Sequence, residues 1–368
     1  MLTRVYIDNY LCFVNFEYRP ERTQLIFGSN GAGKSSFMDA LLALRQFAIT
    51  GLKVDQIFRH NLRTRWLDRP TQTFELQAEL DGRKYQYRLV LDLDSDQSKV
   101  RVESEEVNCD EKPIFEFRKG EVRLYNDRFE FLLDYPFDSS RSAFETISDR
   151  KDNLLLSRFK TWFGSLYCFR INPYGMDIRA EGEHLYPNVN LSNFAAWYRH
   201  LLQSDQRGNA AMLASVRSSL ESFSSLHLET AGENIRLLVA DFDSAEGTNI
   251  KFGFTELSEG QRCLICLYTI LHFLIAKGST IILDEPDNFV SLREIQPWLM
   301  AVSDAVDDGH GQVLIISHHP EIINQWGPGN GVQFVRDGIG PVIAKPFVGS
   351  PDSALFLSEL IARGWENG

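Results

Sequence analysis

The chain has 368 residues, 43% of them hydrophobic and 24% charged, which suits a folded protein with one large core or two modest lobes and argues against a disordered or fibrous chain. A formal net charge of −12 opposes sequence-independent attraction to nucleic acid over the whole surface, although a local basic groove is still allowed. Five cysteines give no disulfide framework, the longest apolar run (263–276) is too short for a bilayer, and the N-terminus lacks a secretory pattern, so a cytoplasmic protein without a membrane partner is expected.

Residues 2–8 alternate as a short strand, and 24–27 form a second strand running into a glycine-rich turn. Over 35–47, Phe37, Ala40, Leu41, Leu44 and Phe47 recur at helical spacing. The stretch 59–69, RHNLRTRWLDR, holds four arginines, a histidine and a tryptophan against one acid. It reads either as a solvated or partner-docking loop, or as a contact to a phosphate backbone. From about 71 to 133 the period changes to two. TFELQAEL, KYQYRLVLDL, KVRVESEEV, PIFEFR, EVRLY and RFEFLL are short runs separated by DG, DSD, DEK, KG and ND, the pattern of an antiparallel meander.

The segment 157–173 ends in a strand, and 191–223 reads as mainly helical with a break near 204–208. NIRLLVADFD and NIKFGFTEL are two more strands, leading into a helix over 258–277. Cys263 and Cys266 share one face of that apolar helix at i, i+3 spacing, and with no second pair nearby they read as packing. Next come a strand over 280–283, a helix over 292–306, a strand over 312–316, a helix near 320–326 and a last helix over 352–363. Strand–helix alternation of this kind signals a parallel sheet. No linker rich in Pro, Gly or Ser divides the chain, so the lobes are expected to interleave.

Four stretches carry chemistry. Gly28, Ser29, Asn30, Gly31, Ala32, Gly33, Lys34 and Ser35 form an intact GxxxxGK[ST] motif between a strand and a helix, followed by Ser36. Glycines let the backbone curl so that its N–H groups face phosphate oxygens, and the helix N-terminus adds partial positive charge. Lys34 is expected at the β- and γ-phosphates and the Ser35 hydroxyl on Mg²⁺. TIILDE, 280–285, is an apolar strand delivering two acids at its end, with Asp284 expected in the magnesium shell and Glu285 orienting the attacking water. Ser258, Glu259, Gly260 and Gln261 open a helix and form a second anion site by chemistry alone. Finally, SHHPE follows the strand QVLIIS, and a histidine at a strand end can reach a phosphate.

The LSEGQ stretch at 257–261 resembles the ABC signature, with Glu259 where many members have glycine. His318 is similar to the ABC switch histidine, which touches the γ-phosphate, and matches it better than His319 does. Asp287 and Asn288 resemble, more loosely, the loop that crosses to a second protomer. The signature lies 224 positions beyond Lys34 (258 − 34), much farther than in transporter cassettes. Together with the opening LTRVYIDNYLCFVNFEYRP, this wide spacing looks like the SMC/RecF-like group, whose ATPase head is split around an insertion. The compact form is similar to RecF-like and OLD-like AAA ATPases, without a coiled coil and with no nuclease domain expected.

The resemblance implies an α/β fold: a P-loop ABC-type head with a mixed or parallel sheet core, an antiparallel β-meander subdomain and an inserted helical lobe. Blocks are expected at 1–70 (phosphate-loop part of the head), 71–170 (antiparallel β), 171–256 (inserted, partly helical lobe) and 257–368 (signature, acidic strand and switch histidine). The implied cofactors are ATP and Mg²⁺. The implied partner is a second copy, with Ser258 and Gly260 of one protomer completing the site of the other. Coupling to DNA, or to a nuclease or toxin effector encoded nearby, follows by the same resemblance, in DNA repair or anti-phage defence. A slow, nucleotide-gated scaffold holding a toxin or nuclease is the alternative. Gln56 and Gln72 are both candidates for the magnesium-sensing glutamine.

Overall fold

The structure is a computed structural model and describes residues 1–94, 99–347 and 358–359. Apart from 358–359, the helix expected over 352–363 lies outside the described residues, as does most of the turn expected after 93. The chain forms two compact units: Met1–Leu166 with Trp326–Gly368, and Tyr167–Gln325.

In the first unit, β1 (Leu2–Asp8), β2 (Phe16–Tyr18) and β3 (Thr23–Phe27) precede α1 (Lys34–Thr50) and the single turn α2 (Val54–Ile57). Then come β4 (Thr71–Leu80), β5 (Arg83–Asp94), β6 (Lys99–Cys109), β7 (Lys112–Arg118), β8 (Glu121–Tyr125), β9 (Phe131–Pro136) and α3 (Leu154–Gly164). The six alternating runs are the strands β4 to β9, and β1 and β2 extend them into one eight-stranded antiparallel sheet, β2-β1-β4-β5-β6-β7-β8-β9. β2 occupies the aromatic-rich stretch, where Phe16 and Tyr18 pack edge-on against Phe37 of α1.

The register of the sheet shifts at several places, and the shift between β5 and β6 decides which acid is buried. β6 shifts register between its Leu91↔Val102 and Val90↔Ser104 pairs, leaving Glu103 as an extra residue. A bulge flips the faces, so Val100 and Val102 point inward before it, and Glu105, Val107 and Cys109 after it. Glu105 is thereby fully buried and accepts from Tyr87 Oη (2.9 Å), Ser142 Oγ (2.6 Å), Ala143 N (3.0 Å) and Phe144 N (3.3 Å). Burial pushes this carboxyl above its ordinary value, and the four donors oppose the shift.

The second unit carries β10 (Leu166–Phe169), β11 (Arg179–Ala180), α4 (Phe194–Ser204) and α5 (Gln206–Ser219). The break between the helices falls at Asp205, whose side chain accepts from Gly208 N and caps α5. β12 (Phe223–Thr230), β13 (Arg236–Asp243) and β14 (Asn249–Gly253) form with β11 an antiparallel sheet centred on β13. β12 was not foreseen, because its residues FSSLHLET alternate weakly and are mostly half-buried. α6 (Glu259–Phe273) follows, then β15 (Thr280–Asp284), α7 (Leu292–Asp307), β16 (Gln312–Ile316) and α8 (Pro320–Asn330). The expected helix over 258–277 ends at Phe273, and its last residues form a 3-10 turn, Ile275–Lys277, closed by Gly278 at positive φ. β15 lies between β10 and β16, pairs with β16 in parallel, and both are buried at every residue.

The first unit resumes at Trp326, within α8, and carries β17 (Gly331–Arg336) and β18 (Val342–Pro346), two strands not foreseen from sequence. β17 pairs with β3 in parallel and with β18 antiparallel, which gives a mixed sheet beside α1.

Candidate nucleotide-binding and hydrolysis site

The phosphate loop leaves β3 and enters α1 at Lys34. Gly28, Gly31 and Gly33 all have positive φ (144°, 82° and 89°), which side chains adopt only with strain. A Cβ on Gly28 would collide with the carbonyl oxygen of Phe334 in β17, and one on Gly33 would lie 2.9 Å from Cys12 Sγ and Val342 Cγ2. The loop is therefore held from behind by β17, β18 and the 9–15 turn, with Val342 N donating to Cys12 O at 3.1 Å. Ser29, Asn30, Gly31 and Ser35 are exposed, Ser36 is half-buried and Ala32 is buried. Lys34 Nζ donates to Gly28 O (2.7 Å) and Ser29 O (3.1 Å), so the ammonium lies inside the curl of the loop. A Cβ-free cradle, a helix N-terminus and an inward ammonium fit a polyphosphate.

The arginine-rich stretch is stapled to the turn behind this loop. Leu11 N donates to Leu62 O, Thr64 N to Asn9 Oδ1, and Arg69 pairs with Asp8. The Arg336 guanidinium lies over the exposed Trp66 ring (5.4 Å to its centroid) and reaches Gly31 O at 3.4 Å. Of the two glutamines, Gln56 accepts from Lys53 N as part of the cap of α2. Gln72 is buried and donates to Asn9 O, with its own carbonyl oxygen unpartnered among the described residues.

In the second unit, Asp284 and Glu285 leave the end of β15. Glu285 has φ 53° although it precedes proline, a strained geometry of the kind found at functional positions, costing about 1–3 kcal/mol. Its N–H donates to Ile316 O (2.8 Å), which adds one rung to the β15–β16 ladder. The strain turns the side chain toward His318, beyond β16. His318 Nδ1 lies 2.8 Å from Oε1 and 2.6 Å from Oε2 of Glu285. Burial raises the Glu285 carboxyl above its ordinary value, His318 opposes this, and the result is a better proton acceptor. His319 is occupied elsewhere: its Nδ1 accepts from Glu321 N in the first turn of α8, so His318 is the ring that faces Glu285. Asp287 is buried and accepts from Ser317 Oγ (2.9 Å), which in turn accepts from His319 N (2.9 Å). It thus fixes the strand end that presents the histidine, whereas Asn288 is exposed.

Asp284 is 5% exposed; its Oδ2 accepts from Arg170, and its Oδ1 is buried without a partner among the described residues. An orphaned carboxylate oxygen at a strand end fits a hard cation such as Mg²⁺. Arg170 was missed in the sequence. The signal available was its place directly after strand β10, since ligand sites of α/β sheets gather at strand ends.

The signature residues start α6. Ser258 is its exposed N-cap and accepts from Gln261 N (3.3 Å), and Gln261 Oε1 accepts from Ser258 N (3.0 Å) in a closed capping box. The serine hydroxyl keeps its own proton for an outside acceptor. Glu259 faces Arg262 at 3.5 Å, and Arg262 donates to Pro173 O. Gly260 is required by packing, because a Cβ there would come within 2.7 Å of Phe289 O. The loop after Glu285 therefore passes directly over the signature helix. Cys263 and Cys266 are buried free thiols on α6, and burial pushes Cys263 up to about 12.

Fold and phosphate loop define a P-loop domain with the fold of an SMC-type head. Residues 25–324 match the family described as "AAA domain, putative AbiEii toxin, Type IV TA system", and the chain belongs to that family. Among solved structures it is similar to an SMC head bound to the C-winged helix domain of ScpA. That match has a TM-score of 0.57 at 11% identity and covers 94% of this chain and 97% of that one. It is also similar to the SMC head domain from Thermotoga maritima, with a TM-score of 0.48 at 14% identity, over 95% of this chain and 99% of that one. At such identities the likeness is one of fold alone. No curated protein matches the chain. No helix among the described residues is long and apolar enough to cross a membrane.

Proposed function

We propose that this chain binds and hydrolyses ATP with Mg²⁺, and that two copies close on the bound nucleotides. Lys34 and the loop N–H groups would hold the phosphates, and Ser35 and Asp284 the metal, which supplies charge neutralisation at the phosphates. Glu285 orients and deprotonates the attacking water, and His318 steadies that carboxylate and senses the γ-phosphate. The exposed Ser258, with its hydroxyl proton free, would donate to a phosphate held by the other copy. The observation that carries hydrolysis, beyond binding, is the Glu285–His318 pair, with contacts of 2.8 and 2.6 Å to a strained, burial-raised carboxylate.

The test is calorimetric titration of ATP into Lys34→Ala and Glu285→Gln beside the parent chain. Lys34→Ala is expected to lose nucleotide binding. Glu285→Gln should keep binding while turnover falls by about 10²–10⁴-fold, the usual worth of a positioned base. Parent-like affinity in Lys34→Ala, or parent-like turnover in Glu285→Gln, removes the reading.

Closure would be coupled to DNA or to an effector protein, in repair or anti-phage defence. The family's description, which names a toxin of a toxin–antitoxin system, supports an effector. The ScpA domain on a structural relative supports heads of this fold as docking sites. A slow, nucleotide-gated scaffold is favoured by one observation, the arginine on Asp284. Single-turnover rates with and without duplex DNA separate these: DNA stimulation that falls steeply with salt supports the DNA branch, and its absence leaves the effector.

A further inference from the structure

Within the second unit, the 3-10 turn Pro173–Gly175 lies against the signature helix α6 and puts a large ring into solvent. Tyr174 is 72% exposed, more than any other aromatic side chain among the described residues. Its surroundings are nonetheless fixed. Asn172 Oδ1 accepts from Tyr174 N (3.1 Å), and Gly175 N donates to Asn172 O (3.1 Å). Arg262, a buried residue of α6, donates to Pro173 O (2.6 Å) and faces Glu259 of the signature at 3.5 Å. The Tyr174 ring meets Phe289 edge-on, with centroids 5.7 Å apart, and the Phe289 carbonyl is the group that closes over Gly260. Tyr174, Ser258 and the exposed Asn288 thus belong to one patch, tied together by Arg262 and Phe289. A single exposed tyrosine is ordinary. One held on a pinned turn beside a helix cap whose hydroxyl proton is free has the form of a contact residue, because little conformational freedom is left to lose on binding.

We propose that Tyr174 anchors a second copy of this chain: when two copies close, its ring is buried against the other protomer, next to the phosphate that Ser258 reaches. The inference rests on reading the chain as closing on its own copy around nucleotide, and it extends that contact to a residue outside the four motifs. Because Arg262 and Phe289 join the segments of Tyr174 and Ser258, the two are presented together, and the surface that meets the hydroxyl also meets the ring. Aromatic side chains with a polar tip are the commonest anchors of such contacts. Tyr174 contributes packing alone and takes no part in the chemistry.

The test uses the full chain with Glu285→Gln, in which turnover is expected to be slow, and follows its ATP-dependent dimer by light scattering. Adding Tyr174→Ala should weaken that dimer about 30-fold, the size expected for truncating an aromatic anchor, while calorimetry finds ATP affinity unchanged. Tyr174→Phe, which keeps the ring, should dimerise like its parent. A second measurement leaves the ring in place. All five cysteines are buried, and Gly175 is exposed with room for a side chain, its nearest neighbour lying 3.7 Å from a Cβ there. Maleimide labelling of Gly175→Cys should slow severalfold when ATP is added and stay unchanged with ADP. Dimers of Tyr174→Ala as tight as the parent's overturn the proposal, as do Tyr174→Phe dimers as weak as those of Tyr174→Ala. Labelling that ignores ATP while dimers form overturns it too, since the ring then faces something other than the second copy. Each of these results leaves closure itself standing. That reading fails separately, and the anchor with it, if Glu285→Gln forms no ATP-dependent dimer.

Discussion

At the scale of single residues, the phosphate loop shows which glycines are demanded by space and which only by backbone angle. Gly28 and Gly31 both have positive φ, but a methyl on Gly28 strikes the Phe334 carbonyl, whereas one on Gly31 meets nothing within 4 Å. Gly31→Ala should therefore cost only the left-handed penalty, about 1–2 kcal/mol. Gly28→Ala should cost about 2–4 kcal/mol, because β17 or the loop must move as well. Urea unfolding of the two variants checks the ranking, and equal stabilities would mean that β17 does not set the loop's position. These glycines were legible because a conformational demand leaves a fixed spacing in the sequence. The partners of Glu285 and Asp284 were less so. His318 could be placed from its strand end, but the approach of its Nδ1 to the Glu285 carboxylate depends on a φ of 53° before proline, which no local pattern announces. Arg170 lies 114 positions from Asp284, and only the strand order brings them together.

At the scale of elements, the six-run meander was readable because period-two alternation survives in each run, while β12, β17 and β18 were not. β17 reads GVQFVR, buried over its first four residues on both faces, and a run of that length without alternation has no helix-or-strand signature. Within β6, period-two alternation does not foretell the bulge at Glu103 that turns Glu105 inward. On α6, His272 presents a second hidden environment. Its Nε2 lies 2.8 Å from Ser215 Oγ of α5, and burial lowers its pKa below the ordinary 6.5. Protonation is thus easier in the unfolded chain, which binds more protons from pH 6.5 down through the folded value. The folded state has its full stability above pH 6.5 and loses this contribution as pH falls through that window. Melting temperatures measured from pH 7.5 to 5.5 should drop more steeply for the parent than for His272→Gln. Parallel curves would show that the α5–α6 contact does not sense the histidine's charge.

At the scale of the whole molecule, the proposed closure of an anionic chain on its own copy faces a charge problem. Each protomer carries −12, so two copies repel until short-range contacts take over. Such repulsion between exposed charges weakens as salt rises, since the screening length falls from roughly 30 Å at 0.01 M to about 8 Å at 0.15 M. ATP-dependent dimers of Glu285→Gln, in which turnover of the bound nucleotide is expected to be slow, should therefore become more abundant over that range. Binding to a phosphate backbone would weaken over the same range, so the two associations are distinguished by the sign of their salt dependence. Ser258→Arg in the Glu285→Gln background places a bulky cation on the exposed N-cap of α6, at the loss of the hydroxyl that accepts from Gln261 N. Light scattering with ATP should then find monomers, while calorimetry finds nucleotide affinity unchanged, because in the proposed arrangement the signature serves the other copy's nucleotide. Dimers that persist in this double variant would mean that the copies meet through another face, and Ser258 would lose its role at the partner's phosphate.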